Sequence, residues 1–227
     1  MQRSARPGCL GFFAVLVALA VLPWLLANAG LAALAKLGLS PGWSMAVLVA
    51  MLLGGLINLR LYRFSAVSPA LQSAPRLGWP RSPSLGWPVP REGVVAVNLG
   101  GCVVPMAVVV YQLVRLADAP SMPWLAVAGA VVLNVAVCHW TSTLVLGVGV
   151  LMRPLVPAAV AVLSAWVVAP QQAPSVAFVA GVLGPLVGAD LLRLPQLHRL
   201  GAPLVAIGGA GTFDGIVVTG VVAVLLA

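Results

Sequence analysis

Long apolar runs, separated by short polar intervals, extend along the whole chain of 227 residues. A helix of about 20 apolar residues is needed to cross the hydrocarbon core of a bilayer, so runs of this length predict membrane-spanning helices. We predict seven spans, which cover residues 10–34, 42–59, 93–114, 121–139, 154–170, 174–193 and 208–227. The apolar piece at 141–152 is too short to cross alone, and we interpret it as a re-entrant segment buried among the other helices. The pattern therefore predicts an all-α fold, a polytopic transmembrane helical bundle in which residues 1–227 form a single membrane-embedded domain.

The composition excludes a soluble domain. Hydrophobic residues make up 62% of the chain and charged residues only 7%, whereas about 25% of the residues in an ordinary globular domain are charged. The mean hydropathy of +1.11 agrees with a chain that is embedded in lipid.

The cations indicate how the spans are oriented. If the N-terminus is cytoplasmic, all but two of the 12 lysines and arginines face the cytoplasm, and only Lys36 and Arg115 face outward. This distribution follows the positive-inside rule and predicts a cytoplasmic N-terminus and a C-terminus on the outside. The net charge of +8 is then an orientation signal reinforced by membrane lipid, and no nucleic-acid partner is predicted.

The longest polar interval, residues 60–92, is predicted to be a cytoplasmic loop rich in proline and tryptophan. It repeats Leu-Gly-Trp-Pro at 77–80 and at 85–88, and proline excludes a helix interior there. The loop is either a stiff connector whose tryptophans lie in the headgroup layer or a docking segment for a partner.

The apolar run after Arg6 is longer than the roughly 7–15 residues of a signal peptide's apolar region, so we predict an uncleaved first span.

Two of the 4 acidic residues fall inside predicted spans. At a rise of 1.5 Å per residue, Asp190 lies about 5 Å inside the cytoplasmic face and Asp214 about 9 Å into the last span. Because the two helices are consecutive and antiparallel, both carboxylates enter the membrane from the same side. An ionised carboxylate in a span costs about 2.5–3.5 kcal/mol on insertion scales, so it usually faces a cavity or a partner. We predict that Asp190 and Asp214 form a catalytic site.

Glycines and small polar residues surround this pair in the sequence. We predict a substrate-binding set that consists of Gly208, Gly209, Gly211, Thr212, Gly215 and Asn98. Glycine allows unwound backbone, which is tolerated at membrane depth where it lines a cavity. The alternative interpretation is helix packing through small residues, with the asparagine forming an interhelical hydrogen bond.

Neither His139 nor His198 has a carboxylate or cysteine partner at helical spacing, so no metal site and no cofactor are predicted.

The chemistry of an acid pair is open to two interpretations. Two neighbouring carboxylates cannot both ionise without cost, so they tend to share one proton. Such a pair suits aspartyl proteolysis, in which one acid activates water and the other donates a proton. It equally suits proton or cation coupling in a transporter with broken helices.

The segments VNLGGCVVP, LGVGVLMRPLVP, VGADLLRL and IGGAGTFDGIVVTGVVAVLLA resemble a prokaryotic family of multi-pass membrane proteins, domain of unknown function 1614. The resemblance covers most of the chain and is most specific near its end. It implies a location in the prokaryotic inner (cytoplasmic) membrane and no established activity.

A partial resemblance to intramembrane aspartyl proteases, the presenilin and prepilin-peptidase group, implies that Asp190 and Asp214 are the two catalytic aspartates. Those enzymes carry the second aspartate in a Gly-x-Gly-Asp motif, whereas here Thr212 and Phe213 separate Gly211 from the aspartate. The leading hypothesis is an intramembrane aspartyl-protease-like hydrolase that acts on a membrane-spanning peptide. A small proton- or ion-coupled transporter and a non-catalytic scaffold stay open as alternatives, and the sequence does not define an oligomeric state.

Overall fold

Helices make up most of the computed structural model, which describes residues 9–67, 90–119, 122–145, 149–197 and 204–227. The α-helices are α1 Cys9–Lys36, α2 Pro41–Gly54, α3 Val104–Ala117, α4 Trp124–Thr141, α5 Leu155–Val168, α6 Ala173–Leu183, α7 Leu194–Leu197 and α8 Gly215–Leu226. The strands are β1 Asn58–Val67, β2 Pro90–Asn98, β3 Thr143–Val145, β4 Gly149–Leu151 and β5 Leu204–Ile207. The Leu-Gly-Trp-Pro repeats at 77–80 and 85–88 lie outside the described residues, as does His198.

Three continuous helical stretches are long and apolar enough to cross a membrane: Leu99–Ala117, Trp124–Thr141 and Pro170–Gln196. They indicate a membrane protein. The third is a composite in which a 3₁₀ turn, α6, a π-helical segment, a second 3₁₀ turn and α7 follow each other without a break. Shorter apolar helices pack around them, among them Pro41–Gly54, Leu155–Val168 and Gly215–Leu226.

The all-α prediction misses a small sheet at one end of the bundle. Predicted span 42–59 ends as a helix at Gly54, and the chain then continues into β1. Predicted span 93–114 begins as strand β2, because three of the four residues Val94–Val97 are valines, which favour extended backbone, and the segment pairs on both sides. Predicted span 208–227 is α-helical only from Gly215, so the depth assigned to Asp214 from its place inside a helix is wrong.

Strand β2 is the middle strand of this sheet. It pairs antiparallel with β1 and parallel with β5, and Val97 of β2 lies opposite Ile207 of β5. Because parallel strands end at the same edge of a sheet, the segments that follow β2 and β5 leave side by side. After β2 comes a π-helical turn, Leu99–Val103, that leads into α3, and after β5 comes a turn that leads to α8.

The segment proposed as re-entrant, 141–152, contains the end of α4 and the antiparallel hairpin of β3 and β4. Residues 146–148 between the two strands lie outside the described residues. A two-stranded hairpin pairs only the backbone groups between its strands, and at membrane depth its outer edges would have to be buried in protein. The re-entrant interpretation stays a prediction.

The composite helix that contains α6 forms the centre of the bundle, and glycines let its neighbours approach closely. A Cβ atom built on Gly181 would lie 3.1 Å from the Cα of Gly220 on α8. A Cβ atom built on Gly184 would lie 2.9 Å from Cγ of Asn134 on α4. Asn134 is fully buried and donates to the carbonyl oxygen of Ala180 at 2.7 Å. Small residues at helix crossings are the usual means of close packing in membranes.

At the opposite end of the bundle, away from the sheet, polar side chains donate hydrogen bonds to backbone carbonyl oxygens at the ends of neighbouring helices. Lys36 donates to the carbonyl oxygen of Leu225 at 2.9 Å and so satisfies the last turn of α8. The buried Gln112 donates to the carbonyl oxygen of Leu37 at 3.0 Å and accepts from the hydroxyl of Ser175 at 2.9 Å. These bonds join α1, α3, α6 and α8 at one level.

Candidate functional site

Asp214 lies at the start of α8 as its N-cap residue. Its backbone is extended, with φ −67° and ψ 151°, and Oδ1 accepts the N–H of Ile216 at 3.0 Å. Oδ2 accepts the N–H of Ala210 at 3.3 Å. The carboxylate therefore satisfies one orphan donor of the helix and one donor of the preceding turn. The side chain is only partly buried, so it is accessible from the turn.

Asp190 is the last residue of the π-helical segment Gly184–Asp190. This segment follows α6 directly, and Pro185 in its first turn lacks the N–H that a regular α-helix would use there. Single π-helical turns occur mostly inside α-helices and frequently at functional sites. The next residues form a 3₁₀ turn, Leu191–Arg193, so Asp190 lies where the helix changes its geometry twice.

The fold brings the two acids together. The charges of Asp190 and Asp214 lie close enough to interact electrostatically, and the backbone N–H of Gly208 interacts with the Asp190 carboxylate. Neither carboxylate forms an ion pair with a cation of the described residues. Two carboxyl groups that lie close together without a counter-ion tend to share one proton and one negative charge, because two ionised carboxylates would repel each other.

The turn between the acids has a backbone that glycine makes possible. Gly208 and Gly211 have φ values of +70° and +61°, in the left-handed region that residues with a Cβ rarely occupy. A Cβ built on Gly208 would lie 2.7 Å from the carbonyl carbon of Gly101 and 2.9 Å from Cβ of Cys102. A Cβ built on Gly211 would lie 3.2 Å from the Cα of Gly55. Both glycines are therefore required by conformation and by space.

These contacts define a glycine junction, formed by the Gly-Gly pairs 54–55, 100–101 and 208–209 together with Gly211. A Cβ on Gly54 would lie 2.8 Å from the backbone nitrogen of Gly100, so the pairs meet backbone to backbone. The end of α2, the π-helical turn before α3 and the turn before Asp214 thus pack against one another. The junction holds the second acid in place relative to the sheet.

Asn98 is the polar centre of the glycine junction. It is fully buried at the end of β2, and its Oδ1 accepts the N–H of Gly101 at 2.7 Å. Its Nδ2 donates to the carbonyl oxygen of Gly55 at 2.8 Å and to Oδ1 of Asn58 at 3.1 Å. The side chain therefore joins the end of α2, the start of β1 and the π-helical turn by hydrogen bonds. Its predicted role in substrate binding stays a prediction.

The remaining predicted residues surround Asp214 along the chain. Gly209 is exposed, and a Cβ there would lie 2.7 Å from the carbonyl oxygen of Ala206. Thr212 is partly buried in the 3₁₀ turn Gly211–Phe213. A Cβ on Gly215 would lie 2.9 Å from Cε of Met152, so the chain after the hairpin of β3 and β4 covers the start of α8.

Cys102 is a site residue that sequence reasoning did not identify. It is 6% exposed on the π-helical turn before α3 and lies within electrostatic range of both Asp190 and Asp214. The sequence contained a signal for this meeting point, because each Gly-Gly pair follows a leucine or isoleucine and the three pairs occur in LLGGLIN, VNLGGCV and AIGGAGT.

The segment that follows Asp190 is anchored to the end of α4. The guanidinium of Arg193 donates to the carbonyl oxygens of His139 and Ser142 at 2.6 and 2.7 Å, and its Nε donates to Oγ of Ser142 at 2.8 Å. A ring nitrogen of His139 lies 3.1 Å from the carbonyl oxygen of Gly188. Arg193 is thus engaged with helix-end carbonyls, where a cation is favoured by the helix dipole, and leaves the nearby carboxylate without a cation.

One comparison with known proteins gave a match. A family model described as "Protein of unknown function (DUF1614)" matches residues 52–226, which include the sheet, the glycine junction and both acids. Comparisons with curated proteins and with solved structures gave no match.

Proposed function

We infer that this chain, which belongs to the DUF1614 family of proteins of unknown function, is an integral membrane hydrolase of the aspartyl-protease type. The observation that carries the proposal is the approach of Asp190 and Asp214 across the glycine turn, without a cation between them. Aspartyl proteolysis needs two carboxyl groups that share one proton. The described residues offer this pair at the end of the π-helical segment in the composite helix and at the N-cap of α8.

The hydrogen bonds suggest which acid has which role. Two backbone N–H groups point at Asp214, and bonds to the charged form favour it, so Asp214 is assigned as the ionised base. Asp190 is then the protonated acid. In the first step Asp214 takes a proton from water, the water oxygen bonds to the peptide carbonyl carbon, and Asp190 gives its proton to the carbonyl oxygen. Collapse of this diol breaks the C–N bond as the amine leaves with a proton from Asp214, and the diol returns a proton to Asp190.

The sheet offers a place where a substrate could be held in extended form. Strand order β1-β2-β5 leaves β5 at one edge, and β5 ends at Ile207, directly before the glycine turn. An extended peptide can add to an exposed edge through main-chain hydrogen bonds. A membrane-spanning peptide must unwind locally before its amide is cleaved, so a strand edge next to the acids supports such a substrate.

Membrane placement is part of the proposal. We propose seven crossings, with the sheet and the acid pair at the cytoplasmic end and the N-terminus inside. Lys36 and Arg115 at the opposite end of the bundle agree with this orientation, because they are the two cations that the positive-inside rule leaves outside.

A proton- or ion-coupled transporter is the second candidate. The observation that favours it is the pair of π-helical segments: Gly184–Asp190 interrupts the composite helix at one acid, and Leu99–Val103 begins the helix that continues as α3. Transporters commonly place coupling sites at discontinuous helices. The same acids would then bind and release a proton without breaking a covalent bond.

Reconstituted protein tests the two candidates against each other. Purified chain in liposomes is mixed with a library of transmembrane peptides, and the products are identified by mass spectrometry. The hydrolase predicts wild-type cleavage that is lost in Asp190→Asn and in Asp214→Asn, because an amide cannot act as a general base. The matched control is Asp118→Asn, which changes an exposed acid at the C-cap of α3 and should cleave like wild type.

Absence of cleavage by a folded wild-type protein at all lipid compositions and pH values tested would refute the hydrolase. Proton flux in the same liposomes that requires Asp214 and not Asp118 would then favour the transporter.

A further inference from the structure

A groove of about 610 Å³ opens on the surface of the bundle between α2 and α3. Its walls come from the first half of α2 and from α3, and its far end is the loop Gly38–Ser40 before α2. The glycine junction lies at the other ends of these two helices, so the groove is separate from the acid pair. Its size lies within the roughly 300–1,000 Å³ that is usual for small-molecule sites.

The lining of the groove changes character along its length. Toward the middle of the bundle it is purely aliphatic, with Val47, Val104 and Val108. Toward the loop, Trp43 and Tyr111 line it, and their side chains are 69% and 42% exposed. Tryptophan and tyrosine are the residues that prefer the boundary between hydrocarbon and water. The groove therefore runs from an apolar floor to an interfacial mouth.

A cation lies at this mouth. The guanidinium of Arg115 is 5.8 Å from the centroid of the Tyr111 ring and lies against Gly38, which lines the groove. One of its N–H groups donates to the carbonyl oxygen of Leu37. Asp118, three residues later and exposed, does not form an ion pair with it. The charge of Arg115 is thus available to an anion at the end of an apolar groove.

We propose that this groove binds one phospholipid with an anionic headgroup. One acyl chain lies along the valines, and the phosphate lies at Arg115 beside Tyr111 and Trp43. The order of the lining matches the order of a lipid, with hydrocarbon, interface and negative charge in sequence. A transmembrane helix from another protein would match the aliphatic part but not the cation at one end.

Native mass spectrometry of the full chain, stripped of lipid in a neutral detergent, tests the proposal. The protein is titrated with phosphatidylglycerol, with phosphatidylcholine of the same acyl chains, or with inorganic phosphate alone. We expect one phosphatidylglycerol to bind more tightly than phosphatidylcholine. Arg115→Gln should weaken the affinity for phosphatidylglycerol about fivefold, which is the contribution of one cation near an anionic surface.

A second variant fills the groove without touching the core. Ala107 lines the groove and is exposed, so Ala107→Trp should reduce binding of both lipids. Leu125→Trp, on the exposed face of α4 where the native side chain is 91% exposed, is the matched control and should bind like wild type. Wild-type lipid binding by both Ala107→Trp and Arg115→Gln would overturn the proposal.

Two other outcomes would also overturn it. Equally tight binding of inorganic phosphate and of phosphatidylglycerol would show a free anion site. A change from dimer to monomer in Ala107→Trp, with no lipid bound to wild type, would show that a second copy of the chain covers the groove.

Discussion

Substitution of Asp214 should separate its structural role from its chemical one. Its carboxylate accepts the N–H of Ile216 at 3.0 Å and the N–H of Ala210 at 3.3 Å, so it caps α8 whatever else it does. Asp214→Ala removes both acceptors and the charge. Asp214→Asn removes the charge and keeps an oxygen for Ile216, and asparagine caps helices about as well as aspartate.

The magnitudes follow from these contacts. Loss of an N-cap acceptor to alanine costs about 1 kcal/mol, and loss of the longer bond to Ala210 adds about 0.5 kcal/mol. Asparagine loses the second bond, but it also removes the negative charge that disfavours ionisation of the neighbouring Asp190. We therefore expect the free energy of unfolding of Asp214→Asn to lie no more than about 0.5 kcal/mol below that of wild type, or above it. Asp214→Ala should be about 1–1.5 kcal/mol less stable than Asp214→Asn.

Reversible unfolding in mixed micelles, followed by circular dichroism, measures these differences, and the peptide cleavage assay is run on the same preparations. Cleavage should be absent in both variants although only one loses stability. If Asp214→Asn were as unstable as Asp214→Ala, the charge itself would hold the turn, and the separation of the two roles would be refuted. Cleavage by Asp214→Asn would remove this residue from the proposed acid pair.

Three further predictions address the junction, the acid pair and the orientation. Asn98→Ala should lower the free energy of unfolding by about 2–4 kcal/mol because buried partners lose their hydrogen bonds, and a loss below 0.5 kcal/mol in micelle unfolding would contradict the junction. Cysteines at Asp190 and Asp214, in a background without native cysteines, should crosslink with a short bifunctional reagent, and a correctly inserted protein that fails to crosslink would contradict their proximity. A reporter that is active only outside the cytoplasm should be silent at Ser73 and active at Ala227, and the reverse pattern would invert the proposed orientation.

The sequence predicts the helices of this fold better than their ends. Apolar length alone identifies α4 and the composite helix around α6, because a bilayer demands a definite number of apolar residues. It fails at α2 and α3, where the apolar runs continue into strands. In a chain of 62% hydrophobic residues, only the single polar residue Asn98 separates the strand residues Val94–Val97 from the helix that follows. Pairing with β5, from far along the chain, decides its conformation.

The meeting of Asp190 and Asp214 could be inferred from the order of the helices, but the way it is built could not. The inference placed Asp214 inside a helix, whereas it caps one. The apolar pattern makes Gly208–Gly211 the first turn of a span, but two of its glycines have positive φ and cannot belong to a right-handed helix. The contribution of Cys102 depends on which glycine pairs touch, and single-chain spacing does not contain that information.

The parallel pairing of β2 with β5 also has a consequence for the order of assembly. It joins residues that are paired as Val94 with Leu204, and closure of a loop of this length costs about 4 kcal/mol in chain entropy. Contacts so distant in sequence form late, after the local helices. During synthesis Asp190 therefore enters the membrane before the strand that positions Asp214 exists. The two acids come together only after the segment that contains β5 and Asp214 has been synthesised, so the pair is absent from every shorter nascent chain.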